Sequence, residues 1–133
     1  MKVAVIGSRE FKNYAMVKEK LDKLNSIRKI TCIVSGGADG ADSLGEKYAD
    51  DYGIPKTIHM AKWDDLSHPD ALVKTNTYGK KYDARAGFRR NYFIIDDADL
   101  VLAFQINRSK GTQHSIDYAK KINKPIKVYE FKM

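Results

Sequence analysis

Val34-Ser35-Gly36-Gly37-Ala38-Asp39-Gly40-Ala41-Asp42 follows a β-branched run, Ile30-Thr31-Cys32-Ile33-Val34, and leads into a helical pattern from Asp42 to Asp51. A strand, a glycine turn and a helix start in that order let backbone amides collect an anion. Glycine reaches positive φ and lets a ligand approach the main chain closely. The free N–H groups and the positive end of the next helix then favour a phosphate or carboxylate. A plain turn needs one glycine, not Gly-Gly-x-x-Gly with small residues between. This loop is read as ligand-binding.

Working outward, five β-like runs alternate with helical patterns: Lys2 to Ile6, Ile30 to Val34, Lys56 to Met60, Leu100 to Phe104 and Ile126 to Phe131. Tyr14, Val17, Leu21 and Leu24 recur at three- and four-residue steps, as do Leu44, Tyr48 and Tyr52 before the Gly53-Ile54-Pro55 stop. Phe88, Tyr92 and Ile95 mark a third helix, and Ile116, Ala119 and Ile122 a fourth. The second and fourth runs are apolar almost throughout, as strands covered on both faces are. The expected fold is α/β, a Rossmann-like three-layer sandwich with an open parallel sheet in the order 3-2-1-4-5. Residues 1–133 are expected to form one domain. Residues 64–85 break the rhythm with a polar stretch holding Pro69 and Gly79, read as a lid or a mobile insertion without a role.

The chain has 133 residues with 43% hydrophobic content, which suits one domain with a single core. Its opening apolar run ends at Ser8-Arg9-Glu10, too short for a signal peptide, and no stretch could span a bilayer. Cys32 is the only cysteine, so a disulfide framework is excluded. A cytoplasmic protein with no membrane contact follows. The net charge of +7 attracts anions. Part of the excess is concentrated: Lys74, Lys80, Lys81, Arg85, Arg89 and Arg90 face only Asp83 between residues 74 and 90.

Ligands of open parallel sheets bind beyond the carboxyl ends of the strands, where strand order reverses. Three segments fall there: Gly7-Ser8-Arg9, Ser35-Gly36-Gly37-Ala38-Asp39-Gly40, and Asn107-Arg108-Ser109-Lys110-Gly111-Thr112. In the last, Thr112 offers an N-cap hydroxyl beside a flexible glycine. Neither the dinucleotide signature Gly-x-Gly-x-x-Gly nor a P-loop is present, which removes support for dehydrogenase and kinase chemistry. His59, His68 and His114 have no metal-ligand spacing, and Asp96, Asp97 and Asp99 are read as a helix end and turn. No metal and no cofactor is expected.

Five ordered blocks give the chain a resemblance: Gly7-Ser8-Arg9, Ser35 to Asp42, Ala61-Lys62-Trp63, Gly87-Phe88-Arg89-Arg90-Asn91 and Ser109-Lys110-Gly111-Thr112. Together they resemble the SLOG superfamily, in particular its small YspA-like branch. The resemblance implies a Rossmann-like fold that binds a nucleotide or nucleotide-derived ligand. That superfamily includes lonely-guy phosphoribohydrolases, the DNA-processing protein A fold and sensor domains for NAD-derived signals. In the phosphoribohydrolases a glutamate serves hydrolysis, and Ser115 occupies its place here. A serine cannot act as that carboxylate.

Arg9 could reach a phosphate with its planar fork. Adjacent Arg89 and Arg90 cannot share a helix face, so one reaches the crevice and the other meets solvent or a partner subunit; family position favours Arg90. Asn91 caps a loop carbonyl or contacts ligand. Asp42 is a helix-start carboxylate or a ribose acceptor, and Trp63 fills core or stacks on a base. The expected ligand-binding set is Gly7, Ser8, Arg9, Ser35, Gly36, Gly37, Ala38, Gly40, Asp42, Trp63, Arg90, Asn91, Ser109, Gly111 and Thr112. No catalytic residue is assigned. The leading function is a sensor or sequestering domain for an ADP-ribose-like, NAD-derived or nucleoside phosphate ligand. Alternatives are cleavage of a nucleoside monophosphate at its N-glycosidic bond and sequence-independent nucleic-acid binding. The apolar spread of Phe88, Tyr92, Phe93, Ile94 and Ile95 suggests a homodimer through that helix.

Overall fold

In the computed structural model, which describes residues 1–132, β1 (Lys2–Gly7) lies at the centre of a five-stranded sheet. On one side stand β2 (Cys32–Ser35) and then β3 (Lys56–Ile58); on the other, β6 (Leu100–Ile106) and β7 (Ile126–Phe131). All four pairings are parallel, with Val3 opposite Leu100 and Lys2 opposite Cys32. The order β3-β2-β1-β6-β7 is the expected one, with two further strands entering the numbering between its third and fourth members. β3 stops at Ile58, two residues earlier than the sequence suggests.

Alternation along β1 explains the layers. Side chains of successive strand residues point to opposite faces. Val3 and Val5 therefore join Val17, Leu21 and Tyr48 beneath α1 (Tyr14–Ile27) and α2 (Ala41–Tyr52). Ala4 and Ile6 join Ile94, Ile95, Ile116 and Ala119 beneath α3 (Ala86–Asp97) and α4 (Lys110–Lys121). Asp97 and Asp99 do mark the end of α3. Asp97 accepts from the Lys2 ammonium at 2.9 Å and lies 3.0 Å from His59 Nε2, while Asp99 accepts from the Lys2 amide at 2.8 Å.

The stretch 64–85 contains an antiparallel hairpin, β4 (Val73–Thr75) and β5 (Lys81–Asp83). Polar contacts hold it to the domain. Asp83 is fully buried and accepts from the amides of Leu72 at 3.1 Å and Arg85 at 2.9 Å and from Arg89 Nη1 at 2.8 Å. Arg89 is thus committed to an ion pair within its own chain, a third destination beside the solvent and the partner subunit expected for it. Among the described residues, no helix is long and apolar enough to cross a membrane.

Candidate anion-binding crevice

Three loops and one helix meet beyond the carboxyl ends of β1, β2 and β6, enclosing a crevice of about 240 Å³. One wall is the turn after β1. Ser8 is buried there, its hydroxyl accepting from the Ile106 amide at 2.8 Å and lying 2.7 Å from the Ser109 hydroxyl. Ser109 in turn donates to Thr112 Oγ1 at 3.0 Å. Each hydroxyl has a single hydrogen to give. With that of Ser109 spent on Thr112, the Ser8 hydrogen goes to Ser109 or to the Ile106 carbonyl at 3.5 Å, and the Thr112 hydrogen is given to neither serine. The N-cap of α4 is Ser109 rather than Thr112, and its hydroxyl makes no capping bond. First-turn N–H groups have no partner within their own helix. This first turn contributes Gly111 and Thr112 to the crevice wall. Asn107 and Arg108, just before it, both take left-handed φ of about 50°, a strained pair for non-glycine residues.

The glycine loop is used differently. Asp42, in the first turn of α2, is buried, and its Oδ2 accepts from the Gly36 amide at 3.1 Å. The Ala38 amide also donates to this carboxylate. Two of the amides expected to cradle a ligand are thus engaged by the protein's own anion. Arg90 reaches the same point from α3 and donates from Nη1 to the Gly36 carbonyl at 2.7 Å. A Cβ on Gly36 would lie 2.8 Å from Asp42 Oδ2 and 2.9 Å from Arg90 Nη1, so only glycine fits between them. Burial pushes the Asp42 carboxyl up to about 7, against the opposing pull of Arg90 and the two amides, while Glu46 adds to the rise. Burial also lowers the Arg90 guanidinium, with Asp42 raising it and Arg9 lowering it. Arg9 has no ion-pair partner among the described residues. Two arginines therefore converge where one of them is uncompensated.

Of the expected set, Gly7, Ser8, Arg9, Ala38, Asp42, Arg90, Asn91, Ser109, Gly111 and Thr112 line the crevice. Asn91 also caps the Gly111 carbonyl at 3.4 Å. Ser35, Gly36, Gly37, Gly40 and Trp63 stand behind or away from the lining. The Ser35 hydroxyl is held by Glu46 at 2.6 Å. A Cβ on Gly37 would meet Met60 Sδ, so a bulky residue there disturbs packing and does not enter the crevice. Gly40 has φ +78 and approaches the Ser8 and Arg9 carbonyls so closely that a Cβ would sit 2.3 and 2.5 Å from their oxygens. Trp63 covers Gly87 and meets Tyr82 edge-on, 6.4 Å between ring centres. Ile6, Glu10, Ile94 and Ser115, none of them in the expected set, complete the lining. Ser115 follows Gly111 and Thr112 by one helical turn on the same face, a spacing that could have suggested it. No group of three or more potential metal-ligating His, Cys, Asp or Glu residues occurs among the described residues.

A doubly covered parallel sheet with a crevice at the strand-order reversal defines a Rossmann-like domain. The model of the YspA, cpYpsA-related SLOG family matches residues 1–65, which include the turns after β1 and β2. The Gene 61 protein of Mycobacterium phage D29 is 30% identical over 132 residues, covering 94% of this chain and 93% of that protein. The chain belongs to the SLOG superfamily. In three dimensions it is similar to DNA processing protein A from Streptococcus pneumoniae, with a TM-score of 0.72 at 21% identity over 96% of this chain and 49% of that one. It is also similar to DNA processing protein A from Helicobacter pylori, a protein that binds single-stranded DNA, with a TM-score of 0.66 at 23% identity over 96% of this chain and 64% of that one. The chain spans about half of the first structure and under two thirds of the second.

Proposed function

We propose that the crevice binds the phosphate of a nucleotide, seated between Arg9, Arg90, the Thr112 hydroxyl and the first turn of α4. The convergence of Arg9 and Arg90 carries this reading, because two cations facing one crevice repel until an anion joins them. The helix N-terminus adds N–H donors and a favourable potential. Titration calorimetry with nucleoside 5′-monophosphates and ADP-ribose tests the proposal. Arg90→Ala should weaken binding by roughly 1.5–3 kcal/mol, the cost of a charge-assisted hydrogen bond. No heat with any of these ligands, from a folded protein, would contradict it.

A specific observation supports a second reading, in which the nucleotide belongs to a single strand: the fold is similar to that of a protein that binds single-stranded DNA. The net charge of +7 is in keeping with it. Such binding would be independent of sequence and would weaken steeply with salt as counterions compete for phosphate contacts. Fluorescence anisotropy of a labelled oligothymidylate across a salt series separates it from binding of free nucleotide. N-glycosidic cleavage has less support, because Ser115 occupies the lining where the related hydrolases have a glutamate. Release of free base that Arg90→Ala abolishes would overturn that ranking.

Pairing through α3 is the remaining part of the proposal. Ile94 and Ile95 are buried within the chain, whereas Phe93 is 62% exposed beside partly exposed Phe88 and Tyr92. Light scattering should give a dimer mass that Phe93→Glu reduces to a monomer. A monomer in the unmutated protein at all concentrations would end the idea.

A further inference from the structure

Arg90 shares the crevice lining with a second cation, Arg9, and the two repel. In an empty crevice such repulsion favours a long side chain that swings out toward water. Two contacts oppose this. Arg90 Nη1 donates to the Gly36 carbonyl at 2.7 Å, and Nε donates to Asn91 Oδ1 at 3.1 Å. The second contact also orients the Asn91 amide, because an arginine only donates and must face the amide oxygen. The Asn91 nitrogen then points the other way, 3.4 Å from the Gly111 carbonyl oxygen and 3.5 Å from His114 Nδ1. A carbonyl only accepts, so Arg90 and Gly111 demand the same orientation. An amide nitrogen has no lone pair to offer, so His114 Nδ1 is the acceptor. The ring hydrogen therefore lies on Nε2 and points to the Tyr92 hydroxyl oxygen at 3.3 Å. Phe88 and Tyr92 hold the ring in place, with centroids 4.4 and 5.2 Å away.

We infer that His114 is a positioning residue for the crevice: as the neutral ring with its hydrogen on Nε2, it steadies Asn91, which in turn steadies Arg90 for an incoming anion. This role depends on the crevice taking a nucleotide phosphate, as proposed. A protonated ring carries hydrogens on both nitrogens. Its Nδ1–H would face the Asn91 NH2 group, donor against donor. Turning the amide over is no escape, because that would set the NH2 group against Arg90 Nε–H and the oxygen against the Gly111 carbonyl. Protonation of His114 therefore loosens Asn91, frees Arg90 and weakens anion binding. Plain charge attraction has the opposite sign. It is screened by salt within about 8–10 Å, whereas the donor clash acts at contact. The charged and titratable groups around the ring are Lys110, Asp117, Tyr118 and Lys121 on its own helix and Tyr92 from α3. Asp96, also on α3, accepts from the Tyr118 hydroxyl at 2.6 Å. Burial lowers the His114 pKa below its ordinary 6.5 against the pull of Asp117, so the change falls under that value.

The test measures binding of thymidine 5′-monophosphate by calorimetry at about pH 8 and about pH 5, on either side of the histidine titration. It uses the full chain, unmutated and as His114→Asn and His114→Leu. Asparagine can keep an acceptor in the place of Nδ1 and takes up no proton, whereas leucine offers no acceptor. At about pH 8 His114→Asn should bind within about twofold of the unmutated protein. His114→Leu should bind roughly threefold to tenfold more weakly, the factor that one lost hydrogen bond gives. At about pH 5 the unmutated protein should weaken by a similar factor relative to His114→Asn. That ratio cancels the titrations of the phosphate and of Asp42, which both proteins share. Nitrogen-15 spectra, with the His114 signals assigned by their loss in a variant, should show the ring hydrogen on Nε2 at about pH 8. Because leucine could also disturb packing, the ratio and the spectrum decide in its place. A hydrogen on Nδ1, equal binding by His114→Leu, or a ratio that stays flat or favours the unmutated protein in acid would overturn this role and leave the crevice reading standing. If the nucleotide binds none of the three proteins at either pH, the crevice reading fails and takes the role of His114 with it.

Discussion

Two helices aim their N-termini at the same crevice, and they meet it in opposite states. Before α2 the amides of Gly36 and Ala38, in the glycine loop, are occupied by Asp42 from the first turn of that helix, an anion supplied by the chain itself. At α4 the N-cap hydroxyl of Ser109 is spent on Ser8 and Thr112, leaving the first turn uncapped by any side chain. The glycine loop, the most conspicuous anion motif in the sequence, is thus largely structural. It fixes Arg90 and closes over the turn after β1, while the less glycine-rich loop offers the open donors. A glycine motif reveals that a backbone approaches something closely; it does not reveal whether that something is a ligand or the protein.

The sharpest way to break this comparison is to make the same substitution at both loops. Gly40→Ala adds a methyl group at positive φ, where its Cβ would overlap the Ser8 and Arg9 carbonyls. It should destabilise the fold by about 3 kcal/mol in urea unfolding. Gly111→Ala meets nothing within 4 Å and should stabilise by up to about 1 kcal/mol through helix propensity. Equal losses at the two sites would mean that both loops are structural.

The pH dependence of stability comes next in size. Asp42 has a folded pKa of about 7, above its unfolded value near 3.8, so the folded state binds the extra proton between those limits. Its stabilising contribution is complete below the lower limit and is lost as pH rises toward the upper one. Between about pH 5 and about pH 8 this should cost roughly 2 kcal/mol in the unmutated protein relative to Asp42→Asn. Burial lowers the His114 pKa, so this group acts in the opposite sense, destabilising as pH falls through its unfolded value of 6.5. It does so in both proteins and cancels in the difference. Parallel stability profiles would show that Asp42 is not held in the buried, charge-penalised state described here. The smallest effect expected is that of Thr112→Val, which removes one hydroxyl donor and should weaken a bound nucleotide by about 1 kcal/mol. No change would take the hydroxyl chain out of the site.

The sheet was legible because its strands are short apolar runs whose alternation or uniform hydrophobicity reflects burial. Leu100 to Ile106 and Cys32 to Ser35 have little else to be. The hairpin of residues 73–83 was not, since its strands are exposed and its anchor is a polar hub at Asp83 rather than a periodic apolar face. Most of the crevice lining followed from knowing where parallel strands end. Hydrogen-bond allocation did not. No spacing rule announces that Asp42 folds back onto Gly36, or that Arg89 turns away from the crevice while Arg90 turns in. Those choices depend on which side chain reaches a buried donor first in three dimensions.

The central claim is that a ligand phosphate sits at the first turn of α4 and not in the glycine loop. A crystal structure of the complex with thymidine 5′-monophosphate near pH 6 tests it most directly. The account predicts phosphate oxygens within hydrogen-bond distance of the Gly111 or Thr112 amide and of Arg9 and Arg90, with Asp42 still accepting from Gly36. A phosphate lying on the Gly36 and Ala38 amides, with Asp42 displaced, would contradict it.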